Sequence, residues 1–116
     1  MMSPINKATT CGLGAALALA ALLSAPVSAQ DRAIEDGRAI AEARCARCHA
    51  IGTSGASPLV KAPPFRMLHR RYPVEDLAEA LAEGIMTGHP EMPQVVLDPP
   101  QIEAFIAFLN ALNETD

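Results

Sequence analysis

The sequence predicts an all-α fold of three to four helices. Three segments of the chain repeat apolar residues at the 3.6-residue spacing of a helix face. No stretch alternates apolar and polar residues over enough positions to form a sheet, because the only candidate strand, residues 94–97, is too short. The length of the chain leaves room for one domain.

The N-terminal segment has the layout of a secretory signal peptide. Lys7 supplies a positive charge, residues 11–23 form an apolar run, and small residues precede a cleavage site between Ala29 and Gln30. A retained membrane anchor is the alternative, but a spanning helix needs about 20 apolar residues. The sequence therefore predicts a signal peptide over residues 1–29, export to the periplasm, and no stable membrane insertion after cleavage.

The mature domain, residues 30–116, is small and acidic. It holds eight of the nine Lys and Arg residues and all 13 Asp and Glu residues, which gives a balance of −5. This balance argues against nucleic-acid binding, which needs a basic face. It fits a soluble protein that meets a basic partner surface, and solubility alone explains it equally well. A core this small usually needs a metal, a disulfide or a cofactor for stability.

The first predicted helix covers residues 31–49. Asp31 is the predicted N-cap, and Ile34, Gly37 and Ala41 share one face. A glycine in the middle of a helix costs about 1 kcal/mol relative to alanine. Gly37 therefore predicts a close packing contact at this position.

Further helices are predicted after a loop that is rich in glycine, serine and proline. Residues 65–72 form a short candidate, and a longer helix opens at Pro73 and ends near Gly84. The last helix covers residues 98–112, and Asp98 is its predicted N-cap. Gln101 lies three residues later and completes a capping box.

The stretch "CARCH", residues 45–49, carries the chemistry of the chain. A redox dithiol would need a βαβ unit, which the sequence lacks. A zinc site would need a second pair of ligands, and a disulfide between Cys45 and Cys48 would close a very small loop and leave His49 without a role. C-x-x-C-H is the attachment pattern of c-type haem, in which both thiols form thioethers and the histidine binds the iron.

An iron bound by His49 has a second axial position, and its occupant decides the function. The downstream candidates are Met67, His69, Met86, His89 and Met92. Met67 and Met86 lie in or beside helical segments, where methionine usually fills core space. Met92 lies in a loop between Pro90 and Pro93, which stiffen the backbone around it. The sequence therefore favours Met92, with His89 as the alternative.

With these motifs in place, the sequence resembles a class I c-type cytochrome of the short bacterial monohaem type. The resemblance covers the whole mature chain, from the helix that leads into "CARCH" to the "MP" ligand loop and the closing amphipathic helix. It implies a class I cytochrome c-like fold, with the helices packed around one covalently bound haem c.

The resemblance also implies roles for individual residues. Pro64 matches the proline whose carbonyl accepts the Nδ1–H of the haem histidine. Gly37 matches the glycine at the crossing of the terminal helices, with Phe105 and Phe108 as its partners on the last helix. Four residues are candidates for bonds to the haem propionates or, alternatively, form a solvated basic patch: Arg66, Arg70, Arg71 and Tyr72.

The implied function is that of an electron carrier, not an enzyme. Haem with His and Met as axial ligands leaves no site for a substrate and favours Fe(II). We expect a monomer that docks transiently on redox partners through charge. The alternatives are a haem subunit of a larger dehydrogenase or oxidase complex, and a five-coordinate haem sensor or enzyme.

Overall fold

The computed structural model describes residues 1, 2, 4, 12, 24–86 and 89–114. The predicted signal peptide therefore lies largely outside the described residues. The helices run in the order α1, Ala29–Arg44; a first 3₁₀ helix, Phe65–Arg70; a second 3₁₀ helix, Val74–Asp76; α2, Leu77–Glu83; and α3, Pro99–Asn113. No strand occurs in these described segments, which agrees with the predicted all-α fold.

The N-terminus of α1 differs from the prediction. Ser28, not Asp31, is the N-cap, because its hydroxyl accepts a hydrogen bond from the backbone N–H of Asp31. The same hydroxyl donates to the Asp31 carboxylate at 2.7 Å, so Asp31 stabilises the first turn from inside the helix. The helix also ends earlier than predicted, at Arg44, and Cys45 is its C-cap.

The middle of the chain is less regular than the sequence suggests. The segment predicted after Pro73 opens with the second 3₁₀ helix, and only Leu77–Glu83 is α-helical. Gly84 ends this helix with a φ of +96°, a conformation that side chains with a Cβ rarely adopt. In α3 the predicted capping box is confirmed, with Asp98 and Gln101 bonded to each other's backbone N–H.

The core lies where α3 packs against the other helices. Its innermost side chains are Phe108, Leu109 and Val74. Phe105 and Leu112 of α3 extend this cluster. None of the helices in the described part of the chain is both long and apolar enough to span a membrane.

The crossing of α1 and α3 depends on Gly37. A Cβ on Gly37 would meet the carbonyl group of Ala104 and would lie 2.7 Å from the Cβ of Phe108, which is closer than real contacts allow. The glycine therefore lets the two helix backbones touch. At the same crossing, the Arg38 guanidinium of α1 lies over the Phe108 ring of α3, 5.3 Å from its centre, in a cation–π contact.

We expect Gly37→Ala to destabilise the folded protein by about 1–3 kcal/mol, because the extra methyl group must push α1 away from α3. Helix propensity alone predicts a gain of about 1 kcal/mol, so the sign of the change is diagnostic. Urea unfolding of the haem-loaded protein measures it. Gly52→Ala is the matched control, since a Cβ there meets nothing within 4 Å. A more stable Gly37→Ala variant would contradict the close crossing.

A hydrogen bond joins α3 to the second 3₁₀ helix and makes stability depend on pH. The side-chain amide of Asn110 donates to the Glu75 carboxylate at 2.8 Å and lowers the pKa of Glu75 from its usual 4.5. A carboxylate with a lowered folded-state pKa stabilises the fold above its unfolded value, and this contribution is lost as the pH falls through the folded value.

Asn110→Ala should therefore lower the free energy of unfolding at neutral pH and change it little well below pH 4.5. Urea unfolding at the two pH values measures this difference. Equal destabilisation at both would mean that Asn110 acts by packing instead of by its bond to Glu75.

Candidate functional site

The "CARCH" residues form a tight turn directly after α1. The carbonyl of Cys45 accepts hydrogen bonds from the backbone N–H of Cys48, at 3.1 Å, and of His49, at 3.0 Å. The motif was predicted to lie inside the helix, but these bonds keep both thiols and the imidazole on one compact turn. No disulfide joins the two cysteines.

The histidine of this turn is held by a loop carbonyl. His49 Nδ1 donates to the carbonyl oxygen of Pro63 at 2.8 Å. This bond fixes the tautomer and the orientation of the ring, and it leaves Nε2 as the nitrogen with a free lone pair.

The prediction that Pro64 makes this bond was wrong by one residue. Pro64 is the N-cap of the first 3₁₀ helix, and its carbonyl accepts the backbone N–H of Met67 at 3.0 Å. Because the Pro64 carbonyl accepts the first hydrogen bond of this helix, His49 bonds instead to the carbonyl of the preceding residue, Pro63.

Phe65 connects His49 to the core. The two rings lie 4.9 Å apart at 39°, and Phe65 meets Phe105 of α3 edge-on at 5.8 Å. The backbone N–H of Phe65 also donates to the carbonyl of Ala50, next to the histidine. The imidazole is therefore positioned by a hydrogen bond on one ring nitrogen and by an aromatic contact.

Burial changes the chemistry of the first cysteine. It raises the pKa of the Cys45 thiol to about 11, and the nearby charge of Arg44 opposes this effect only in part. The thiol is therefore protonated at neutral pH. A protonated thiol is slow to form a disulfide, since the thiolate is the reactive form.

A large cavity lies beside this turn. Its volume is about 860 Å³, which is within the range of cofactor and ligand sites. Cys45, Cys48, His49 and Met92 all line it. Most of the remaining wall is aliphatic or aromatic: Ile40, Leu59, Ala62, Phe65, Leu68, Leu77, Leu81, Ile85, Val95, Leu97 and Phe105.

The loop that carries Met92 is attached to α2. The backbone N–H of Met92 donates to the carbonyl of His89, and this bond closes a turn. After the turn, Val95 accepts from the backbone N–H of Ile85, and Leu97 donates to the carbonyl of Leu81. The loop therefore returns along the end of α2 as an extended segment, which places Met92 at the cavity.

Two of the five candidate axial residues, His89 and Met92, line the cavity. Met86 is 84% exposed and does not line the cavity. Met67 and His69 belong to the first 3₁₀ helix and are not among the lining residues either. Of the five candidates, the two that line the cavity are thus Met92, which the sequence favours, and His89, its alternative.

The model of a known protein family matches most of the chain. Residues 32–109 match the model of the family described as cytochrome C oxidase, cbb3-type, subunit III. This match covers most of both terminal helices, the thiol and histidine turn and the Met92 loop. The chain belongs to this family. No curated protein and no solved structure gives a significant match.

The chain is therefore a c-type cytochrome domain, as the sequence predicted, and it carries one covalently attached haem c. The residues present fit that group. The turn offers two thiols for thioether bonds and one imidazole nitrogen for the iron, and the wall is apolar enough for a porphyrin. No group of three or more His, Cys, Asp or Glu side chains suited to a metal ion occurs in the described segments.

The residues predicted for the propionates divide into two sets. Arg71 and Tyr72 line the cavity of the cytochrome, and their bonds to the haem propionates stay a prediction. Arg66 does not, because its guanidinium bonds to the carbonyls of Gly52 and Gly55 and ties the loop after the haem motif. Arg70 is exposed and is not part of the cavity wall.

Three further basic residues at the cavity were not singled out by the sequence. Arg44, Arg47 and Lys61 all line it. Arg44 and Arg47 lie one residue before each cysteine, which is the signal that could have found them. Lys61 could not be found in this way, since its loop has no regular structure from which to infer its direction.

Proposed function

We propose that this c-type cytochrome is a periplasmic carrier of single electrons, with haem iron bound by His49 and Met92. The observation that carries the proposal is the convergence of both cysteines, the histidine and the methionine on one apolar cavity. Cys45 and Cys48 would hold the haem through thioethers. The haem supplies the one-electron couple of its iron.

The protein residues would tune that couple in two ways. The bond from His49 Nδ1 to Pro63 keeps Nε2 as the coordinating nitrogen and makes the imidazole a stronger ligand. A methionine thioether on the other side favours Fe(II) and raises the reduction potential relative to a second histidine. Two protein ligands would leave no coordination position for a substrate, and this favours electron transfer over catalysis.

The location and the free, monomeric state are part of the same proposal. They rest on the signal-peptide layout of residues 1–29 and on the size of the domain. Cleavage between Ala29 and Gln30 would remove Ser28, the N-cap of α1. Asp31 is then the next side chain able to cap the shortened helix.

Absorption spectra of the exported protein test the proposal. We expect the spectrum of a low-spin haem c, a far-red charge-transfer band of sulfur-ligated Fe(III) in the oxidised form, and slow or absent binding of carbon monoxide to the reduced form. Rapid binding of carbon monoxide would contradict two protein ligands and favour a sensor or an enzyme. Absence of covalently bound haem would refute the cytochrome function.

The family match favours a second candidate, a haem subunit of a larger oxidase complex. The family is described as subunit III of cbb3-type cytochrome c oxidase. The haem site would be the same, but the partner would be permanent. Gel filtration of a native membrane and periplasmic extract distinguishes the two, since a free carrier elutes at the size of the single domain and a subunit elutes with the complex.

A further inference from the structure

We propose that Gly84, at the end of α2, is a positioning residue for the thioether of Met92. The inference rests on the proposed binding of the haem iron by His49 and Met92, and it adds the residue that directs the methionine. Gly84 does not line the cavity. It therefore acts on the ligand only through the backbone of the loop that begins at this residue and carries Met92.

The two ends of this loop lie side by side. The backbone N–H of Ile85 donates to the carbonyl of Val95 at 3.2 Å. The side chain of Gln94 lies against Gly84, because a Cβ built on the glycine would be only 3.0 Å from the Cδ of Gln94. The chain that leaves α2 at Gly84 therefore touches the chain that returns after Met92.

The returning end of the loop is anchored in the core. Val95 and Leu97 are buried and both line the cavity. The backbone N–H of Leu97 also donates to the carbonyl of Leu81 in α2 at 2.9 Å. Side chains in a close-packed core resist displacement. A change at Gly84 is therefore absorbed in the part of the loop that includes Met92.

The outer part of the loop has a weaker attachment. The carboxylate of Glu91, the residue before Met92, lies 3.5 Å from the Lys61 ammonium group. The two side chains are 54% and 73% exposed, and ion pairs so open to water contribute little to stability. The position of Met92 therefore depends chiefly on the base of the loop, at Gly84.

The backbone of Gly84 has a conformation that few other residues can adopt. Its φ is +96° and its ψ is +104°. In the part of the chain that the structure describes, two residues have a positive φ, Gly55 and Gly84, and both are glycines. A residue with a Cβ is strained at such angles. The direction in which the chain leaves α2 therefore depends on the glycine.

The short route from Gly84 to Met92 runs across the base of the loop. Gly84 contacts Gln94, and only Pro93 separates Gln94 from Met92. The ring of Pro93 fixes its φ, so that a rotation at Gln94 is carried to Met92. A metal ligand must be held within about 0.5 Å of its productive position. A small shift at the base is therefore enough to weaken the bond from sulfur to iron.

Gly84→Ala tests this role in the haem-loaded protein. The alanine strains the closed loop, and the strain is relieved when Met92 leaves the iron. We expect the reduced variant to bind carbon monoxide about tenfold faster than the wild type. The far-red band of sulfur-ligated Fe(III) should weaken, and the midpoint potential should fall. Urea unfolding of the same sample measures the loss of stability separately.

Gly55→Ala is the matched control. Gly55 has a φ of +88°, and a Cβ there meets nothing within 4 Å. The substitution places the same kind of strain in the loop after the haem motif. It should lower stability and leave the carbon monoxide rate, the far-red band and the potential unchanged. Gly84→Asn is a milder variant, because asparagine adopts a positive φ more often than alanine. Its carbon monoxide rate should lie between those of the wild type and Gly84→Ala.

Several results would overturn the positioning role. A Gly84→Ala variant that loses stability but keeps the carbon monoxide rate and the potential would make Gly84 purely structural. Equal opening of the site by Gly55→Ala would assign the effect to general loosening. If the alanine variant does not fold, an asparagine variant that binds carbon monoxide no faster than the wild type has the same meaning. Failure of the proposed ligation is distinguishable, since the wild type itself would then lack the far-red band.

Discussion

Replacing both thiols, Cys45→Ala with Cys48→Ala, should abolish stable haem binding and leave the domain largely unfolded. Without thioethers, only axial ligands and apolar contacts would retain the haem. The cavity of about 860 Å³ is lined by residues of the core itself, including Phe65, Leu81 and Phe105. A domain of this size cannot keep such a volume empty, because its core is marginal even when filled.

Two measurements check this result. Acid-acetone extraction followed by absorption spectroscopy should find no haem on the double variant, and far-ultraviolet circular dichroism should report lost helix. Ala46→Ser is the control, since it alters the same turn without removing a thiol. A double variant that keeps tightly bound haem after extraction would contradict covalent attachment.

The sequence predicts the site well where the chemistry requires a short motif. The spacing of Cys45, Cys48 and His49 predicts haem attachment by itself, since few sites need these residues so close together, and the family match shows a haem c. Met92 was favoured because prolines flank it, and the fold does bring it to the same cavity. Gly37 was recognised because a glycine inside a helix needs a packing reason, and α3 provides that reason.

The sequence predicts less well where two neighbouring groups are equivalent in chemistry. The backbone carbonyls of Pro63 and Pro64 are chemically equivalent. Which of the two accepts the hydrogen bond from His49 depends on the residue at which the first 3₁₀ helix begins. The N-cap of α1 is a similar case, since Ser28 and Asp31 are both good caps and the structure uses them together. Which of two equivalent groups makes a hydrogen bond depends on the direction of the backbone at that point, and residue type does not specify this direction.

Net charge specifies little about the surface that a partner would meet. It is a sum over the whole chain, whereas a partner responds to the charges near the point of contact. The sum of −5 fits a basic partner surface, and solubility alone explains it equally well, whereas the described residues that line the cavity include four Lys and Arg residues and one acidic residue. Only the fold brings Lys61 and Arg71 to the same opening as Arg44 and Arg47.

Met92→Ala should convert the haem to a form with one protein ligand and lower its reduction potential. His49, the other proposed ligand, is held by Pro63 and does not depend on the Met92 loop. Loss of the thioether removes the ligand that favours Fe(II). We expect a fall on the order of 0.1 V, within the span of about 0.8 V that axial ligands set, together with rapid binding of carbon monoxide to the reduced form.

Redox titration and carbon monoxide mixing measure both effects on the same sample. Met86→Ala is the matched control, because Met86 is 84% exposed beside the same loop and does not line the cavity. His89→Ala addresses the other lining candidate. If His89→Ala opens the site and Met92→Ala does not, the axial ligand is the histidine. The potential of the wild type should then be low from the start, because a bis-histidine haem lacks the thioether that favours Fe(II).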